Sequence, residues 1–234
     1  MRKLLILFLI LIPSLIYGGV YFDGVDDEVN LTPLGLAVDE VFSYTVWIYP
    51  IVLSKDIINF IDEVDTYSTG IMAQANGSLW YRRWVTPTAG KDIFTAVDSI
   101  KVNKWSLIAF GWDGASMWAS VNNSSRTYLT VGNLRSVMTK QRVGYSWNSG
   151  WFNGEIGEIR FYKKTLLVNE VKNIIARYNP AEPSMKGLWV LDIEGYDGKK
   201  SFDLSGNNNT GTHTGTSNGN SNPPILMQPI YAGD

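Results

Sequence analysis

From Val20 to Tyr162 the chain is a succession of short runs rich in Val, Ile, Tyr, Trp and Phe, each closed by Gly, Asn, Asp or Ser. That rhythm leaves no room for a long helix and reads as the strands of an antiparallel sandwich. In Phe42-Ser-Tyr-Thr-Val-Trp-Ile-Tyr49 the alternation sets Phe42, Tyr44, Val46 and Ile48 against Ser43, Thr45, Trp47 and Tyr49, so both faces are occupied and the strand is central. Pro50 closes it. Asn76-Gly77 predicts a tight hairpin between Gly70–Gln74 and Ser78–Trp84, and Asp113-Gly114 a second turn between Trp105–Trp112 and Ser116–Val121. Further strands are expected over Arg142–Tyr145 and Glu155–Tyr162. One helix is expected over Leu167–Tyr178, where Leu167, Val171, Ile174, Ile175 and Tyr178 recur at helical spacing, with Thr165 as its cap and Pro180 beyond its end. The polar stretch Asn207–Asn222 reads as loop or ribbon ahead of Pro223-Pro224, and Ile225–Tyr231 as a last edge strand.

The rest of the chain narrows the function. A length of 234 residues with 45% hydrophobic content suits one sizeable core. The formal net charge of −2 and the single histidine, His213, argue against nucleic acid as a partner and against a histidine-built catalytic centre. With no cysteine, neither disulfides nor thiolate metal sites are available, and packing must hold the fold. Met1, Arg2 and Lys3 precede an apolar run from Leu4 to Ile16 and a small-residue exit at Gly18-Gly19. This is the order of a signal peptide over residues 1–18. The run is short of the about 20 residues a spanning helix needs, so membrane contact is expected only if that segment stays uncleaved, and the protein is expected outside the cell or on its surface.

Three stretches carry a family resemblance. Tyr21-Phe-Asp-Gly-Val-Asp-Asp-Glu-Val29 is similar to an opening strand of the form F-D-G-x-D-D-Y-V. Phe152-Asn-Gly-Glu-Ile-Gly-Glu-Ile-Arg-Phe-Tyr162 with its trailing helix resembles G-x-I-x-E-V-R-I-Y. Gly187-Leu-Trp-Val-Leu-Asp-Ile-Glu-Gly195 with Asp203-Leu-Ser-Gly-Asn-Asn-Asn-Thr-Gly211 resembles G-L-W-x-x-D-E-G followed by D-x-S-G-N-G-N-x-G. These are marks of the laminin G-like domains of the concanavalin A-like lectin/glucanase superfamily. The resemblance implies an all-β, concanavalin A-like antiparallel β-sandwich, a jelly roll, with one short helix near the C-terminal third. In the usual domain the W-x-x-D and S-G-N stretch comes first, whereas here it comes last. Two readings follow: a circularly permuted single domain over 19–234, in which 187–234 completes the sandwich, or one domain plus the start of a second. Permutation is preferred, because half a domain leaves an apolar strand unpaired.

The resemblance implies a binder of glycan or of a surface protein. The alternative is a structural or adhesion subunit of a cell-surface, appendage or virion assembly. A glycosidase needs two carboxylates across a glycosidic bond; Glu63-Val-Asp65 resembles the start of the glucanase signature, but Ser68 stands where its last carboxylate belongs. Glu155 and Glu158, three apart in a strand, are expected on opposite faces, so no enzyme is expected. Relatives of this type hold Ca²⁺ through oxygen ligands, and Asp23, Asp26, Asp27, Asn207 and Asn208 are the candidates, although the same residues are ordinary turn formers. Relatives also carry an Asp where this chain has Gly157. Among the aromatic residues, Trp47, Trp105, Trp112 and Trp189 are assigned to packing. Trp147 and Trp151 bracket a Gly/Ser-rich loop, and Trp84 shares a strand face with Arg82; these four are the candidate ligand contacts.

Overall fold

The computed structural model describes residues 19–31, 35–62, 68–86, 89–145, 150–174, 182–191 and 199–219. The signal segment expected over 1–18, Glu63, Asp65, Trp147, the end of the expected helix over 175–178 and the edge strand expected over 225–231 lie outside them. In chain order the strands are β1 (Val20–Asp23), β2 (Glu28–Leu31), β3 (Phe42–Pro50), β4 (Lys55–Ile61), β5 (Ser68–Ala73), β6 (Leu79–Trp84), β7 (Gly90–Phe94), β8 (Ser106–Trp112), β9 (Ser116–Val121), β10 (Thr127–Thr130), β11 (Lys140–Val143) and β12 (Asn153–Tyr162). Helix α1 (Val168–Ile174) follows, then β13 (Met185–Val190), β14 (Lys200–Ser201), β15 (Gly211–Thr214) and β16 (Ser217–Asn218). Two antiparallel sheets result. The first runs β10-β9-β8-β3-β12-β1-β16, with β13 also on β12; the second runs β14-β15-β2-β11-β4-β5-β6-β7.

The double-sided character of β3 has two causes. Phe42, Tyr44, Val46 and Ile48 face the second sheet and join the main core, whereas Trp47 points outward into a smaller cluster with Leu107, Trp118, Val171, Ile174 and Leu188, under α1. Tyr44 sits at the centre: its ring stacks on Phe110 and Phe161 with centroids 5.5 and 4.6 Å away and meets Phe60 at 4.9 Å. Its hydroxyl donates across the sandwich to Gln141 Oε1 on β11, which satisfies the one polar atom this stack would otherwise bury.

Local details depart from expectation for identifiable reasons. The tight hairpin at Asn76-Gly77 forms between the expected flanks: Gln74 N–H donates to Ser78 O, Gly77 N–H donates to Gln74 O, Gly77 takes φ of 74°, and Asn76 Oδ1 accepts from Ser78 N–H, so the turn is closed by a left-handed glycine; the departures lie elsewhere. Thr165 does not cap α1. Its hydroxyl is buried without a partner among the described residues, while Glu170 Oε2 accepts the Leu167 N–H, the acidic half of a capping box. The polar tail is not all loop, since β15 pairs β2 and β16 pairs β1.

Glu155 and Glu158 share a face, against expectation. The register of β12 on β3 shifts between Ile156 and Ile159, both of which point into the main core. The extra residue is a bulge, and it turns both carboxyls outward. Gly157 lies in it, where a Cβ would stand 3.3 Å from the Trp105 ring, a tight approach. The two acids do not make a reactive pair: Glu158 accepts both hydrogen bonds of a buried fork from Arg160, at 2.6 and 3.1 Å, and Glu155 is buried as well.

The segment after Pro183 supplies β13 to β16 and the fully buried Trp189, whose indole N–H donates to Asn209 O at 2.5 Å. A chain ending at Pro183 therefore loses one of the two partners of β1 and of β2, and the β13 partner along half of β12, and opens the core. It is expected to aggregate or to melt far below the longer chain. A monomeric product as heat-stable as the full chain in thermal unfolding would show the tail to be independent.

Candidate binding face

Strand β6 organises the outward face of the second sheet. Its alternation buries Leu79, Tyr81 and Arg83 and leaves Trp80, Arg82 and Trp84 half-exposed on the other side. Inward Arg83 is fully buried, with its guanidinium 4.2 Å from the Trp112 ring centroid; burial holds its pKa below the ordinary value. Outward Arg82 lies 4.5 Å from the Trp80 ring and 5.4 Å from the Trp84 ring, a cation between two aromatic faces.

Neighbouring strands extend this motif by direct cross-strand pairing. Trp80 pairs with Phe94 on β7, and the two rings lie parallel within 5° at 6.3 Å; Phe94 is 52% exposed, so the stack opens to solvent. Arg82 pairs with Asp92 and forks onto it at 2.7 and 2.8 Å. Trp84 pairs with Gly90, where a Cβ would stand only 3.1 Å from Arg82 Nε, so the glycine makes room for the fork. On the other side the register continues from Arg82 through Gly70 on β5 and Asn59 on β4 to Arg142 on β11. Gly70 is required there, because a side chain would collide with Asn59 and the Ile58 backbone. Arg142 pairs with Glu28 of β2 and covers the Tyr145 ring at 3.5 Å. Tyr145 in turn meets Trp151 edge-on at 5.1 Å, and Tyr145 O accepts from Asn59 Nδ2 at 3.0 Å.

Two aromatic groups, Trp80–Phe94 with Trp84 and Tyr145–Trp151, thus flank a floor that includes Met72 and Asn59. Three strand spacings, about 14 Å, separate β11 from β6. Of the expected contacts, Arg82 and Trp84 share this face and Trp151 lies at its other end, while Trp147 is outside the described residues. Trp80, Phe94, Asp92 and Tyr145 were not among them, although the i, i+2, i+4 spacing of Trp80, Arg82 and Trp84 is itself the signal.

The expected metal ligands divide. Asp23, Asp26 and Asp27 converge, each offering a carboxylate oxygen within 4.8 Å of the others. Asp27 Oδ2 accepts from Asp23 N–H at 2.7 Å, and Asp23 Oδ1 from Val25 N–H at 2.7 Å. Burial raises the Asp27 pKa most, and the nearby carboxylates of Asp23 and Asp26 add to it, against the hydrogen bond from Asp23 N–H. Asn207 and Asn208 are not part of this group. Asp23 pairs with Asn153 at the start of β12, whereas Asn207 Nδ2 donates to Met185 O beside Tyr162 at its end, about 30 Å along the strand. Both segments reach β12, but at opposite ends of it.

The geometry has relatives. Residues 23–172 match the laminin G-type model of the concanavalin A-like lectin/glucanases superfamily, and the chain belongs to that family. No curated protein sequence matches it. Among solved structures it resembles a candidate carbohydrate binding protein from Bacteroides ovatus (16% identity, TM-score 0.62, covering 86% of this chain and 58% of that one). It also resembles a heptameric SAP-like pentraxin from Limulus polyphemus (14%, TM-score 0.54, 69% and 82%). A third is domain 4 of the arabinanase AbnA from Geobacillus stearothermophilus in complex with arabinotriose (17%, TM-score 0.52, 65% and 74%). The chain thus spans less than two thirds of the Bacteroides protein, and at these identities the likeness is one of fold.

The Arg82–Asp92 fork has a pH signature. Burial by itself pushes Asp92 up, but the hydrogen bonds from Arg82 and its charge outweigh it and hold the carboxyl below the usual 3.8. Because the folded value is the depressed one, the stabilisation is complete above the unfolded aspartate value and is lost as pH falls through the folded one. The protected Arg82 Nε–H resonance in NMR spectra is expected to survive at pH 3.8 and to disappear only under more acid conditions.

Proposed function

We propose that the chain is an exported, non-catalytic binding module for an oligosaccharide, which lies across the outward face of the second sheet. The observation that carries this reading is the Trp80–Arg82–Trp84 row. Its half-exposed rings, with Phe94 beside them, offer apolar surface to sugar C–H groups, and the fork beside them offers both a donor and an acceptor for hydroxyls. The Tyr145–Trp151 pair supplies a second platform, so the face suits a chain of several sugar units rather than one. The arabinotriose complex of AbnA domain 4 supports the assignment by analogy of fold. The absence of catalysis is part of the proposal: Glu158 is neutralised by Arg160, and Ser68 replaces the signature carboxylate. A glycan array is the test, run with the mature protein, whose N-terminus should lie near Gly19. Trp80→Ala and Trp84→Ala should each weaken the best ligand at least tenfold, the loss expected on truncating an aromatic hot spot worth about 2 kcal/mol. Unchanged binding in both variants would place the ligand elsewhere.

We further propose that 19–234 is one domain in permuted order, a reading supported by the pairing of β13 with β12, β15 with β2 and β16 with β1. An adhesion or structural role is the second reading, favoured by the edge strand β10, where Tyr128 is 53% and Leu129 36% exposed.

Asp23, Asp26 and Asp27 are the residues that would hold Ca²⁺. Their all-oxygen set suits a hard cation, and beside them Asn153 Oδ1 is buried without a hydrogen bond among the described residues while its Nδ2 donates to Asp23 O. Burial is the main cause of the raised Asp27 value, and a cation there would offset it and relieve the smaller share that comes from the Asp23 and Asp26 carboxylates. Calcium at a hundredfold excess over its Kd should raise the melting temperature by roughly 5–10 °C at neutral pH. The gain should shrink as pH falls through the raised Asp27 value and vanish in Asp26→Asn; no shift in scanning calorimetry would remove calcium from the proposal.

A further inference from the structure

At the opposite end of β12 from the acidic trio lies an open depression of about 380 Å³ lined by Gly35, Lys163, Lys186, Asn207 and Asn209. We infer that it is a second ligand site, for a single carboxylated sugar unit, separate from the aromatic face. Its walls are fixed by the backbone. Leu36, next to Gly35, exchanges two hydrogen bonds with Met138 at 3.1 and 3.0 Å, and Lys163 N–H donates to Ser184 O at 2.8 Å. The 203–209 loop is folded around Asp203, which accepts from the N–H groups of Leu188, Ser205 and Asn209 at 2.9, 2.9 and 3.0 Å. Such a wall offers a ligand fixed groups rather than ones it must order.

The chemistry follows from what those groups have left to give. Asn207 and Asn209 commit their Nδ2 donors to protein oxygens, among them Met185 O at 3.2 Å and Lys186 O at 2.6 Å. Their Oδ1 acceptors take no hydrogen bond among the described residues. Lys186 Nζ donates to Pro183 O at 2.9 Å and Lys163 Nζ pairs with Glu40 at 2.7 Å, which leaves each ammonium with further protons to donate. Acceptors beside donors match sugar hydroxyls, which both donate and accept. Glu40 answers Lys163, and the carboxylate of Asp203 is taken up by three backbone N–H groups, so the Lys186 ammonium, whose partner among the described residues is a carbonyl, is the charge that an anionic substituent would complement. The volume lies at the small end of the range for ligand sites and fits one ring.

Gly35 provides the sharpest test. No described atom lies within 4 Å of a Cβ built there, so Gly35→Trp should fill the depression without disturbing the fold. Titration of ¹⁵N-labelled full chain with sodium glucuronate should shift the side-chain amides of Asn207 and Asn209 saturably in the millimolar range, with glucose and acetate each at least tenfold weaker. Gly35→Trp and Lys186→Met should each weaken glucuronate tenfold or more, whereas Trp84→Ala, which addresses the aromatic face, should leave it unchanged. If glucuronate gives no saturable shift, if acetate alone does as well, or if Gly35→Trp binds normally, the site is not one for a carboxylated sugar. Loss in Trp84→Ala alone would assign the binding to the other face.

Discussion

The hydrogen bond from Tyr44 to Gln141 ties the two sheets together at the point where their spacing is set. Facing sheets stand about 10 Å apart, and a tyrosine ring stacked between Phe110, Phe161 and Phe60 fills much of that gap. Burial drives the Tyr44 pKa well above its ordinary value, so the hydroxyl remains a donor wherever the protein is folded. Its acceptor fixes more than distance. Gln141 must point inward, so Lys140 and Arg142 must point outward, and a one-residue slip of β11 would exchange them. The register that carries Arg142 to Asn59, Gly70, Arg82 and Asp92 is therefore anchored in the core beneath it.

The two sheets use their outward faces differently. That of the first sheet is apolar and covered: Trp47, Leu107, Trp118 and Leu188 pack under Val171 and Ile174 of α1. Ser43 assists by accepting from Leu166 N–H and donating to Lys164 O, which pins the lead into the helix. On the second sheet the described residues place no helix, and β6 puts Trp80, Arg82 and Trp84 on that side. Aromatic rings left half-exposed beside charged side chains cost less solvation than a bare apolar patch, because Arg82 and Arg142 lie over the rings as well as on their carboxylates.

Alternation was legible from the sequence wherever a strand is regular. Phe42–Pro50, Leu79–Trp84 and the Asp113-Gly114 turn follow from residue order alone, and with them the shared face of Arg82 and Trp84. What stayed hidden depends on events between strands. The outward turn of Glu155 comes from the bulge at Gly157, and a lone glycine in a strand signals such a bulge without saying which side chains it redirects. The cap of α1 went to Glu170 rather than Thr165 because the chain enters the helix two residues later than a threonine cap requires. Thr212 and Thr214 form a strand despite their polar surroundings because β2 presents an edge for them to pair with, and β-branched threonine suits that pairing. The separation of Asn207 from Asp23 could not be read from motif order, since neighbouring motifs can enter one sheet at either end of a ten-residue strand.

Preorganisation links the core to the proposed binding face. A long arginine side chain free in solvent would surrender on the order of 1–2 kcal/mol of rotamer freedom when a ligand fixed it. Here that loss has already been taken up in folding: Arg82 is held by both oxygens of Asp92 and by two indole faces, and Arg142 by Glu28 and the Tyr145 ring. Each clamp depends in turn on a residue that adds no contact of its own. Gly90 leaves the space in which Arg82 can lie flat, and Gly70 leaves Asn59 free to reach Tyr145 O. A side chain at either glycine would push an arginine or an asparagine off the sheet without touching any ligand. The shape of the face is therefore governed as much by where the chain omits side chains as by the aromatic rings that stand on it.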